Sequence, residues 1–174
     1  MEVKPYRQSL THSCLAACFL MLNKDAFSEE DEQQLALNGS RRTYPFYVVG
    51  IPMEFAKKFQ KNVTIFVDNQ YFTEVLEKHF SENNKINVIH KPITEDLIRE
   101  LLKEKSLICH IDDHALGDYS HASHFIILES ATEKFVQIIN PWDGKRSRIS
   151  MKTLLEAIED LKTQVKMCPL LFSI

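Results

Sequence analysis

The chain has 174 residues, 44% of them apolar, a size and composition that fit one domain spanning 1–174 around its own core. Twenty-four acids against 21 bases leave a net charge of -3, which argues against a nucleic-acid binder working through a generally basic surface and against intrinsic disorder. Only four glycines occur, too few for collagen-like or glycine-rich repeat architectures.

In chain order, residues 1–13 read as an extended polar lead-in. A helix then starts, with Leu15, Cys18, Phe19 and Leu22 on one apolar face. Ser13 or Thr11 supplies its N-cap, and residues 23–25 end it. An acidic helix-prone stretch follows over 28–37, its acids 29–32 reading as a solvated helix start. Residues 38–42 read as a loop, and 44–49 are aromatic and β-branched. Gly50 opens a helix with Pro52 in its first turn and Met53, Phe55, Ala56 and Phe59 inward. Strand 63–67, helix 70–80 and strand 86–90 come next. Thr94 caps a helix reaching about residue 105, and 107–111 is a third strand. Residues 124–129 and 134–139 read as an antiparallel pair. Residues 150–161 form a helix, and 165–172 a last strand placed at a sheet edge by Pro169. A helix-first chain whose strongest hairpin signal lies in its second half predicts an α+β fold.

No targeting signal is legible at the N-terminus, and the longest apolar run near it, residues 14–22, is about half the length a bilayer requires. The expectation is a soluble cytoplasmic protein without a transmembrane segment. In that setting Cys14, Cys18, Cys109 and Cys168 stay reduced.

Four positions combine into chemistry. Cys14 falls at the start of the first helix, where backbone N–H groups and the helix dipole favour a thiolate over the small buried hydrophobe that a free cysteine otherwise is. Gln8 lies six residues upstream, in a segment that must bend into that helix. Its amide and the Cys14 N–H would form the donor pair of an oxyanion hole. His124 opens the apolar run Phe125-Ile126-Ile127-Leu128 and is placed to act as a general base for a thiol. Asn140 follows the next strand. If the two strands pair through a short turn, its amide oxygen returns beside the imidazole and fixes the tautomer.

Gln8 and Cys14, the run Ser13-Cys14-Leu15-Ala16-Ala17-Cys18, then Ser123-His124-Phe125-Ile126-Ile127, then Asn140-Pro141, resemble the papain-like cysteine peptidases of the bacteriocin-processing type. Those domains cleave double-glycine leader peptides, often beside an export transporter. The resemblance implies a papain-like fold, with a catalytic helix packed on an antiparallel sheet. It implies Cys14 as nucleophile, His124 as base, Asn140 as orienting residue and Gln8 as oxyanion donor, acting on a peptide or protein substrate with no cofactor. It also implies a transporter or precursor peptide as partner. Ser13 stands where the transporter-linked members usually have Asp, Leu15 where they often have Gly, and Asn140 where Asp is commoner. These departures bear on the double-glycine specificity rather than on the thiol chemistry.

Three other readings compete. An acyl- or peptidyl-transferase would share the acyl-enzyme, and a non-catalytic peptide-binding module would share the frame. His110, Asp112, Asp113, His114, Asp118, His121 and His124 crowd into fifteen residues, but without a metal motif such as HExxH they read as a solvated loop, and no metal is expected. Tyr44, Phe46, Tyr47 and Trp142 are the aromatic candidates for a substrate groove.

Overall fold

A computed structural model describes residues 3–23, 25–42 and 47–174. Among them the elements run α1 (Cys14–Asn23), α2 (Glu29–Arg42), α3 (Tyr47–Phe59), β1 (Val63–Val67), α4 (Gln70–Phe80), β2 (Ile86–His90), α5 (Glu95–Leu102), β3 (Leu107–Asp112), a 3-10 turn (Asp113–Leu116), β4 (Ser123–Ala131), β5 (Phe135–Asn140), β6 (Lys145–Ser150), α6 (Met151–Thr163) and β7 (Leu170–Ser173). The protein is α+β. Its seven strands form one mixed sheet in the order β2-β1-β7-β3-β4-β5-β6. Among these neighbours only β1 and β2 run parallel, because α4 carries the chain back over the sheet between them. The sheet is therefore mixed, whereas the resemblance implied an antiparallel one.

Helices cover both faces of the sheet. Phe125, Ile127, Ile139, Ile108 and Phe172 point to the layer that holds α1, α2, α3 and α4. Ile126, Leu128, Ile138, Cys109 and Leu171 point to α5 and α6. Double coverage explains why the central strands read as unbroken apolar runs rather than alternating ones. Helix α1 is buried over Leu15–Asn23, and its first residue, Cys14, lines a cavity. It packs on β4 and against α2 and α3, with the Phe19 ring 4.8 Å from that of Phe55.

Three local readings change. Residues 38–42 continue α2 instead of forming a loop. Gly39 is not a turn residue there: a Cβ at this position would come within 2.7 Å of the Ile51 backbone nitrogen, so the glycine lets α2 and α3 touch. Helix α3 begins at Tyr47, which puts Pro52 inside it rather than in its first turn, and Val48 loses its helical donor as a result. The last strand is central, hydrogen-bonded to β1 and β3, because Pro169 lies just before it and removes no ladder bond. The true edge beyond β5 is β6, Lys-Arg-Ser-Arg-Ile-Ser, whose charge hid it as a strand and blunts the exposed edge.

Candidate active site

The ends of the central strands meet the start of α1 along one rim of the sheet. There a cavity of about 690 Å3 is lined by Cys14, His124, Asn140, Tyr47, Asp113 and Trp142, among others. The β4–β5 ladder sets Ile127 opposite Ile139 and Leu128 opposite Ile138. That register, continued by one residue, sets Asn140 opposite Ile126, two residues along β4 from His124, and His124 Nε2 lies 2.9 Å from Asn140 Oδ1.

The hydrogen-bond pattern fixes the proton on that imidazole. The Trp142 backbone N–H donates to Asn140 Oδ1 at 3.0 Å. A backbone N–H only donates, so the atom facing His124 is the amide oxygen and Nε2 must carry the hydrogen. Nδ1 is left with a lone pair, and no hydrogen bond engages it among the described residues.

Burial dominates the electrostatics. It pushes the Cys14 thiol up to about 11, although the backbone N–H groups of Phe125, Leu15 and Cys14 itself pull the other way. It also lowers His124, against the bond to Asn140. The expected lowering of the thiol by the helix start is therefore overcome by desolvation, and near neutrality the cavity holds an uncharged thiol and an uncharged imidazole. The Cys14 N–H is the first of α1 and has no intrahelical acceptor.

Gln8 stands apart from the other three positions. Its side chain is buried outside the cavity lining, and Nε2 donates to the carbonyls of Leu10 (2.7 Å) and Thr11 (3.2 Å). Its backbone does reach the site: Gln8 N–H donates to Pro141 O at 2.7 Å, tying the lead-in to the residue after Asn140.

Two arrangements were not legible as functional in the sequence. The first is a hydrogen-bonded wall. His110 Nδ1 faces the Cys168 carbonyl at 3.2 Å and so carries the proton. Its Nε2 accepts from Ser123 Oγ at 2.7 Å, and Ser123 accepts in turn from Tyr47 Oη at 3.0 Å. Burial lowers His110 to about 3, which keeps this relay uncharged and its direction fixed. Its ring stacks on Phe125, with centroids 4.2 Å apart. The second is Glu32, expected among solvated acids but wholly buried beneath the lead-in. Its signal was present: Glu32, Leu35, Ala36 and Gly39 share the buried face of α2.

The remaining expectations are placed as follows. Asp112 is buried, accepts from the backbone N–H groups of His114 and Ala122, and pairs with His121 Nδ1. His114 and His121 lie against each other with ring centroids 4.4 Å apart. Among the described residues no three His, Cys, Asp or Glu side chains converge as a metal site would require. All four cysteines are free thiols. Trp142 is half-exposed at the cavity, Tyr47 is part of the wall, and Tyr44 and Phe46 lie outside the described residues. Among the described residues no helix is long and apolar enough to cross a membrane.

No family model and no curated protein matches this chain.

Proposed function

We propose that the protein is a papain-like cysteine peptidase acting on peptide bonds through Cys14, His124 and Asn140. One observation carries the reading: an imidazole whose tautomer is set by Asn140 shares a cavity with a thiol at a helix start. In this mechanism His124 Nδ1 takes the Cys14 proton as sulfur attacks the substrate carbonyl. The imidazolium that forms keeps its Nε2–H on Asn140 Oδ1. The oxyanion is met by the Cys14 N–H, and by Gln8 if its amide releases the longer bond to Thr11. His124 then protonates the leaving amine, and water resolves the thioester. An amine acceptor in place of water gives the transferase outcome from the same intermediate. No step calls on a cofactor. The resemblance to leader-processing peptidases makes a precursor peptide the first substrate class to try, in a cytoplasmic setting with a transporter as partner.

The test is cleavage of a peptide library followed by mass spectrometry, with a search for an acyl-enzyme on Cys14. Cys14→Ala should abolish cleavage, and His124→Ala should slow it by about 10^2- to 10^4-fold. Asn140→Ala should cost less, because it loosens the imidazole without removing the base. Full turnover by Cys14→Ala would overturn the proposal.

A further inference from the structure

Glu32 is the one acid of the 29–32 run that is wholly buried, and it lies directly under the segment leading into Cys14. Tyr6 Oη donates to Oε2 at 2.6 Å. The Ser9 backbone N–H sits 3.0 Å from both carboxylate oxygens. Ser13 Oγ, one residue before the thiol, makes a short contact to Oε1. Every one of these donors belongs to residues 6–13, and no lysine or arginine pairs with Glu32 among the described residues. Burying a carboxylate is costly, and an apolar side chain would join α2 to this segment as firmly. What the carboxylate adds is direction, because it gathers three donors at fixed angles around the turn that starts α1. The same turn is closed by the Ser13 N–H donating to Leu10 O and by the Leu10 N–H donating to Ser13 Oγ at 3.3 Å. It leads into the Cys14 N–H, which has no intrahelical acceptor.

We propose that Glu32 is a positioning residue for the oxyanion: it sets the lead-in so that the Cys14 N–H points at the oxygen that develops on the attacked carbonyl. This rests on the peptidase reading, so the experiment separates the two. Peptide aldehydes and iodoacetamide probe the same sulfur differently. An aldehyde forms a hemithioacetal, in which the S–C bond forms, the thiol proton moves to oxygen and that oxygen needs the N–H. Alkylation by iodoacetamide expels iodide and needs only the nucleophile. In Glu32→Gln, aldehyde affinity at Cys14 should fall about tenfold or more, as expected for losing hydrogen bonds to a charged group that orients a donor. Alkylation of Cys14 should stay within about twofold, kcat should fall with KM little changed, and Glu32→Asp should recover part of the loss.

Should Glu32→Gln fail to fold, Tyr6→Phe and Ser13→Ala each remove one donor, and each should weaken the aldehyde without changing alkylation. Equal aldehyde affinity in wild type and in these variants, or a parallel fall in both reactions, overturns the proposal. A wild-type protein that forms no hemithioacetal at Cys14 overturns the peptidase reading instead.

Discussion

At the scale of single residues the site is poised by burial rather than by charge. A thiol raised to about 11 and a lowered imidazole lining one cavity are not an ion pair at rest. The sign of the pH response follows. Thiolate is the nucleophile, and a raised thiol stays protonated until the solution is alkaline. A lowered imidazole is neutral at pH 7, so raising the pH above 7 leaves it unchanged and ionises only the thiol. Iodoacetamide alkylation of Cys14, followed by mass spectrometry, should therefore keep rising from pH 7 to pH 10. A rate that is flat between pH 5 and pH 8 would indicate a preformed thiolate–imidazolium pair and refute this description. Sequence spacing sufficed to pair Asn140 with His124. It could not anticipate the state of the thiol, because the burial that raises it comes from tertiary packing around Cys14 and leaves no local pattern in the chain.

At the scale of elements, the hairpin turn after β5 does more than reverse the chain. Asp143-Gly144 reads as plain turn chemistry, and the Gly144 N–H donating to Asn140 O agrees with that. But Gly144 has φ +66°, and a Cβ there would lie 2.7 Å from the Arg7 backbone nitrogen. The lead-in crosses the hairpin at this point, and Gln8 bonds Pro141 beside it. One glycine thus lets the Cys14 segment rest on the Asn140 segment. Gly144→Ala should lower stability by about 1–3 kcal/mol for the left-handed backbone alone, with the clash added to that. It should also reduce turnover by moving Asn140 relative to His124. Urea denaturation and peptide kinetics on the same variant check both, and a midpoint equal to wild type would refute the crossing. The crossing was not legible because it joins two segments distant in sequence. Elements with their own periodicity, such as strand 63–67 and helix 70–80, were recovered at those bounds. Where a tertiary contact replaces a local rule, as at Gly39 and Pro169, the local rule misled.

At the scale of the whole molecule, the sheet consists of a parallel pair, β2-β1, and an antiparallel run, β3-β4-β5-β6, joined by the four residues of β7. No local signal announces that a strand from the end of the chain is inserted centrally, since strand order is decided by pairing and not by periodicity. The insertion has a consequence for the site. The Phe172 ring lies 5.5 Å from Phe19 on α1 and 6.0 Å from Phe125 on β4, so one side chain braces the helix of Cys14 against the strand of His124. Phe172→Ala should cost about 3–5 kcal/mol as a buried aromatic truncation. If the brace matters for chemistry, the folded fraction should also turn over more slowly, because Cys14 and His124 are then held less firmly together. The control is Leu154→Ala. That residue is equally buried, but on α6 across the sheet, and its loss should cost about 2–5 kcal/mol. In the folded fraction Leu154→Ala should keep wild-type kcat while Phe172→Ala does not, measured at a temperature where circular dichroism reports both as native. Equal kcat in the two variants would mean that Phe172 contributes to stability alone and that α1 and β4 are registered by the remaining core.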